Sequence, residues 1–81
     1  MIERKITVSG IAELTTEKTM FIVQKAVSFK SDIKLLHDGR TINAKSLLGM
    51  LVIGIKRGSE VTIIADGTDE ESAVEALSIM L

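Results

Sequence analysis

Ile2, Ile6 and Val8 fall on one parity of the first stretch, and Glu3, Lys5 and Thr7 on the other. A period of two is that of a strand with one face buried. Residues 2–8 therefore predict a strand, with Arg4 as the polar exception on its inner parity. Ser9 and Gly10 open a loop that runs to Thr16. The period then changes. Ile22, Val23, Ala26, Val27 and Phe29 recur at helical spacing, Thr15 and Thr16 are capping residues, and Glu17 suits the positive end of a helix dipole. This predicts a helix over 16–28. Ile33 and Leu35 share one parity of a second strand over 32–36. Asp38-Gly39 follows, two residues that both tolerate positive φ, so a tight hairpin should return the chain through Thr41, Ile42 and Asn43.

Ser46 stands where it would cap a short apolar helix over 47–53, which Gly54 ends. Lys56, Arg57 and Gly58 read as a turn. The β-branched run over 60–65 is a further strand, closed by Asp66-Gly67. Thr68, with Glu71 three residues on, has the spacing of a capping box for a last helix. That helix has one apolar face of Ala73, Val74, Leu77, Met80 and Leu81. The order is β-α-β-β-α-β-α, an α+β domain with helices segregated on an antiparallel sheet. Its 81 residues fit one domain, 1–81, without repeats or low-complexity segments.

Composition narrows the function classes. Hydrophobic residues make up 46% of the chain, charged residues 26%, and the two phenylalanines are the only aromatics. This describes a folded domain with an aliphatic core. A net charge of −1 offers no broad basic field for nucleic acid. Without cysteine there is neither disulfide nor thiolate metal site. The apolar run 47–53 contains Gly49 and is too short to span a bilayer, so the expected protein is soluble and intracellular. No Ser-His-Asp, zinc or phosphate-loop pattern occurs, and no cofactor is expected. Asp66, Asp69, Glu70 and Glu71 match no calcium loop and read as a helix start.

One stretch is more specific. Residues 38–50, Asp-Gly-Arg-Thr-Ile-Asn-Ala-Lys-Ser-Leu-Leu-Gly-Met, combine a hairpin glycine, a short strand, Asn-x-Lys-Ser and an apolar helix with a glycine. With Val23-Gln24-x-Ala26 and Gly58-Ser59-Glu60-Val61-Thr62-Ile63, this pattern resembles HPr, the histidine-containing phosphocarrier of the bacterial sugar phosphotransferase system. The register runs without gaps over most of the chain. The resemblance implies an open-faced β-sandwich, a four-stranded antiparallel sheet with three helices on one face. It also implies two phosphorylation sites, a histidine in the loop before the first helix and a serine at the start of the second.

The first of these is replaced. The family pattern Gly-(Ile/Leu)-His-Ala-Arg-Pro-Ala falls on Glu13-Leu14-Thr15-Thr16-Glu17-Lys18-Thr19. Thr15 stands at the histidine position, Glu17 at the arginine and Lys18 at the proline. A relay through histidine needs an imidazole nitrogen. A threonine hydroxyl does not supply one, and Glu17 puts negative charge where a cation would stabilise a transferring phosphoryl group. The only histidine, His37, falls in the hairpin and reads as a surface polar residue. No catalytic residue is expected, and the protein is not read as an enzyme.

The second position is kept, as Lys45-Ser46-Leu47-Leu48-Gly49. A phosphate at Ser46 would add roughly −1.5 to −2 charge beside an apolar patch without reshaping the fold. By resemblance, Leu47, Leu48 and Leu51, with Lys45, form a partner-binding patch. Lys45, Lys56 and Arg57 read either as solvated surface charges or as a small basic cluster near Ser46 that would stabilise a phosphate. The chain is most similar in kind to the catabolite repression HPr-like proteins of Gram-positive bacteria, which lack the histidine and keep the serine. That implies two partners: an HPr kinase/phosphorylase acting on Ser46, and a LacI-type catabolite control repressor for which the phosphorylated form is corepressor. It implies no direct contact with nucleic acid or membrane, a cytoplasmic setting, and a monomer or weak homodimer. Three other readings stand beside it. Ser46 is a simple helix cap; the chain is a divergent paralogue that binds a protein without phosphorylation; or Thr15 accepts phosphate.

Overall fold

The computed structural model describes all 81 residues. Strand β1 (Ile2–Thr7) is followed by helix α1 (Thr16–Val27), strands β2 (Asp32–His37) and β3 (Arg40–Asn43), helix α2 (Leu47–Val52), strand β4 (Glu60–Asp66) and helix α3 (Glu70–Met80). The four strands form one antiparallel sheet in the order β1-β4-β2-β3. Asp38 (φ 52°) and Gly39 (φ 76°) both occupy the left-handed region, and His37 pairs directly with Arg40 across them. This is the two-residue hairpin whose twist matches that of its strands. The sequence could not place β4. It lies between β1 and β2, pairing Ile6 with Val61 on one side and Leu35 with Ile63 on the other.

The parity of each strand decides the core. Ile33, Leu35, Val61, Ile63 and Ala65 are buried on the helix-facing side, and Ile2, Ile6 and Ile42 pack partly against them. From the helices come Ile22 and Ala26, Met50, and Ala73, Val74 and Leu77. Thr19 is also fully buried, which the apolar spacing of α1 did not indicate. Its hydroxyl is satisfied by the Thr15 carbonyl at 2.8 Å. Val27, expected inward, is 58% exposed. Arg4 keeps its inner parity by reaching past the sheet to α3, where Nη1 meets Glu75 Oε2 at 3.0 Å and Ser78 Oγ at 3.4 Å.

The capping box expected at Thr68 and Glu71 does not form. Asp69 is the N-cap residue of α3, and its side chain makes no capping bond. Its carboxylate accepts instead from the Lys30 amide (2.8 Å), the Ser31 amide (2.9 Å) and the Ser31 hydroxyl. Glu70 reaches back to the Gly67 amide at 3.3 Å. A distant loop thus outcompetes the local cap for Asp69. The Ser31 hydroxyl, and then the Lys30 amide, hold its pKa down at about 2. Gly67 permits this approach, because a Cβ there would lie 2.6 Å from Ser31 Cα.

Candidate functional site

The candidate site is built on α1 and α2, which run antiparallel. The head of α2 lies beside the tail of α1, where Lys45 Nζ meets the Phe29 carbonyl at 2.8 Å. The segment after α2 returns to the head of α1, where the Leu14 amide donates to the Ile55 carbonyl at 3.2 Å. Thr15 and Lys45 therefore mark opposite ends of α1, about 18 Å apart at 1.5 Å per residue.

Thr15 is exposed and caps α1. Its backbone is extended (φ −71°, ψ 163°), and its hydroxyl oxygen accepts from the Lys18 amide at 3.2 Å. The charged side chains on either side in sequence are Glu13, Glu17 and Lys18. An unactivated hydroxyl already serving as a cap has neither the basicity nor the leaving-group character of an imidazole. His37 offers no substitute. It sits at the end of β2, where Nδ1 donates to the Glu60 carbonyl at 3.1 Å. It lines an open polar cleft of about 500 Å³ with Lys5, Lys56 and Glu60, at the hairpin end of the sheet.

Ser46 caps α2 from an extended backbone (φ −99°, ψ 112°), and its Oγ accepts from the Gly49 amide at 3.2 Å. It is half-buried. The turn that delivers it is fixed by Asn43, whose Oδ1 accepts from the Lys45 amide (2.9 Å) and whose carbonyl accepts from the Ser46 amide (3.0 Å). Gly49 within α2 is needed for close packing, since a Cβ there would lie 2.9 Å from Ile42 Cγ2 on β3.

Although apolar nearly all round, α2 buries only Met50, with Ile53 at its C-cap. Leu47 and Leu51 are part-exposed, and Leu48 is 75% exposed. Helix α1 extends this surface. Met20, Val23 and Gln24, with Leu47, line a shallow hollow of about 140 Å³ between the helices, and Met20 is 46% exposed. The sequence reading had not singled out Met20. Its signal was present as a second stripe on α1, Met20, Val23, Gln24 and Val27, at spacings of three and four.

The basic residues do not form one cluster. Arg57 N donates to the Ala12 carbonyl at 2.8 Å and the Lys56 backbone forms an isolated antiparallel β-bridge with that of Glu13, so both lie along the loop carrying Thr15. Of these three, Lys45 is the one next to Ser46, because the apolar length of α2 separates the two ends. No three His, Cys, Asp or Glu side chains are grouped to hold a metal ion, and no helix is long and apolar enough to cross a membrane.

An open antiparallel sheet backed by three helices, with a capping threonine before α1 and a capping serine before α2, defines a small phosphocarrier-like domain. Comparisons with known proteins agree. Residues 2–81 match the family model described as the PTS HPr component phosphorylation site, and the chain belongs to the HPr family. It is 38% identical to the HPr-like protein Crh of Bacillus subtilis (strain 168) over 78 residues, 96% of this chain and 92% of that protein. The crystal structure of the phosphocarrier protein HPr from Bacillus anthracis str. Ames superposes with a TM-score of 0.93 at 36% identity, covering 99% of this chain and 95% of that one. A crystal structure of Bacillus subtilis Crh, described as a swapped dimer, gives a TM-score of 0.78 at 38% identity, covering 99% and 92%. These are phosphocarrier and regulatory proteins, not enzymes, and the Crh relatives support an HPr-like regulatory role.

Proposed function

We propose that this protein is a non-phosphocarrier regulator, phosphorylated on Ser46 by an HPr kinase/phosphorylase and then acting as corepressor for a LacI-type catabolite control repressor. The observation that carries the reading is the contrast between the two capping hydroxyls. Thr15 stands where a relay would need an imidazole, beside Glu17. Ser46 is bordered by the apolar surface of Leu47, Leu48, Leu51 and Met20. Exposed apolar patches of this kind mark interaction sites. In the transfer, a bond forms between Ser46 Oγ and the γ-phosphorus of ATP, the bond to ADP breaks, and the hydroxyl proton is released. The product carries roughly −1.5 to −2 added charge at the edge of the patch, so the repressor would read charge and apolar surface together. The protein works in the cytoplasm as a monomer or weak homodimer and touches neither DNA nor membrane itself.

The test is incubation of the pure protein with HPr kinase/phosphorylase and ATP, read by intact mass, with Ser46→Ala as control. One added phosphate on the wild type and none on the variant supports the reading, and repressor affinity with and without phosphate follows. If neither protein gains mass, the phosphorylation reading fails. The exposed patch then favours the alternative, a paralogue that binds its partner without modification.

A further inference from the structure

Lys45 is adjacent to Ser46, yet its ammonium group is directed to the other helix. Nζ donates to the main-chain carbonyl of Phe29 at 2.8 Å in a partly buried contact. Phe29 closes the tail of α1: its amide donates to the Ala26 carbonyl at 3.2 Å, and the Ser28 amide to the Gln24 carbonyl at 3.2 Å. Carbonyl groups at a helix C-terminus carry its negative end, and an ammonium there is stabilising. Lys25 meets the same residue at its ring, with Nζ 5.7 Å from the centre of the Phe29 ring. Because Asn43 fixes the backbone of Lys45 and Ser46, only the Lys45 side chain is free to swing. It ties the head of α2 to the tail of α1, across the seam that holds Met20, Val23, Gln24 and Leu47.

We propose that Lys45 is a phosphate-sensitive latch: it rests on the Phe29 carbonyl in the unmodified protein and moves to the phosphoryl oxygens when Ser46 is phosphorylated, freeing the tail of α1. The proposal rests on the reading of Ser46 as a phosphorylated residue. The direction follows from charge. A helix end presents about half an elementary charge, and a phosphoserine about −1.5 to −2. At comparable distance and screening the phosphate attracts the ammonium at least about three times as strongly. Lys25 sits over the Phe29 ring, and Lys56 and Arg57 lie along the loop at the opposite end of α1. Phosphorylation would thus change the mobility of the α1–α2 seam as well as its charge.

The experiment uses phosphoserine incorporated at position 46 during translation, so that no kinase is required. Amide hydrogen exchange is measured by NMR for the unmodified protein, the phosphoprotein, Lys45→Met and phosphorylated Lys45→Met. Phosphorylation should speed exchange at Ser28 and Phe29 by about two- to tenfold, the factor for losing one net hydrogen bond. Lys45→Met should do the same without phosphate, and phosphate should add nothing further in that background. Unchanged exchange on phosphorylation, or an equal acceleration in Lys45→Met, would overturn the latch. As a check that needs no substitution, the through-bond coupling between Lys45 Nζ and the Phe29 carbonyl carbon should vanish in the phosphoprotein; its persistence also overturns the latch. A kinase that leaves Ser46 unmodified while the phosphoprotein unlatches defeats the proposed function alone. An inert latch in a protein the kinase modifies defeats this inference alone.

Discussion

Replacing Ser46 with alanine separates two roles that share one oxygen. In the unmodified protein Ser46 Oγ accepts from the Gly49 amide at 3.2 Å, one of the donors that a helix start leaves without an intrahelical partner. Ser46→Ala deletes that acceptor. The cost for an N-cap serine is about 1 kcal/mol. For an 81-residue chain the entropy of unfolding near the midpoint is about 170 cal/mol/K, at about 2.1 cal/mol/K per residue. The Tm should therefore fall by about 6 °C. Ser46→Asp keeps an oxygen at the cap and should stay within about 2 °C of wild type, since aspartate caps as well as serine. Circular dichroism melts of the three proteins in one buffer make the measurement. A Ser46→Ala protein melting with the wild type, or a Ser46→Asp protein melting as low as Ser46→Ala, would refute the capping argument. The result also calibrates the kinase assay, because it states how much of any loss in Ser46→Ala comes from a frayed α2.

Other expectations follow from the same geometry. Leu48 is 75% exposed, so Leu48→Ser should change unfolding free energy by no more than about 0.5 kcal/mol; titration calorimetry of the phosphoprotein against the repressor should nevertheless show weakened binding. Leu77 is fully buried, and Leu77→Ala should cost about 2–5 kcal/mol in urea unfolding. Gly67→Ala forces a Cβ to within 2.6 Å of Ser31 Cα, and should cost about 1–3 kcal/mol in the same assay. The Asp69 carboxyl is lowered to about 2 from an ordinary 3.8 by Ser31 and Lys30. Its contribution is complete above pH 4 and is lost as the pH falls towards 2. Acid melts of Asp69→Asn should accordingly show a shallower decline across that window than wild type.

The elements were legible in the sequence because each rests on short-range physics. Alternation set β1 and β2, the 3.6-residue period set α1 and α3, and Asp38-Gly39 set the hairpin, since few residue pairs accept two consecutive positive φ values. Thr15 and Ser46 were readable as caps for the same reason: a cap bonds to an amide two or three residues away. The places where the reading failed share a different cause. Thr68 and Glu71 satisfy the spacing of a capping box, but Asp69 found three donors in Lys30 and Ser31, nearly forty residues distant. Lys45, Lys56 and Arg57 look like one basic cluster along the chain, and the antiparallel packing of α1 and α2 sends them to opposite ends. Val27 and Met20 obey helical spacing without revealing that α2 covers only part of their face. By itself the sequence determined which segments are strands and helices and that Thr15 and Ser46 cap two of them. The insertion of β4 between β1 and β2, the Asp69 clasp and the resting place of Lys45 were decided by tertiary structure alone. Long flexible charged side chains and strand pairings take whichever partner the completed fold brings within reach, and local sequence does not encode that partner.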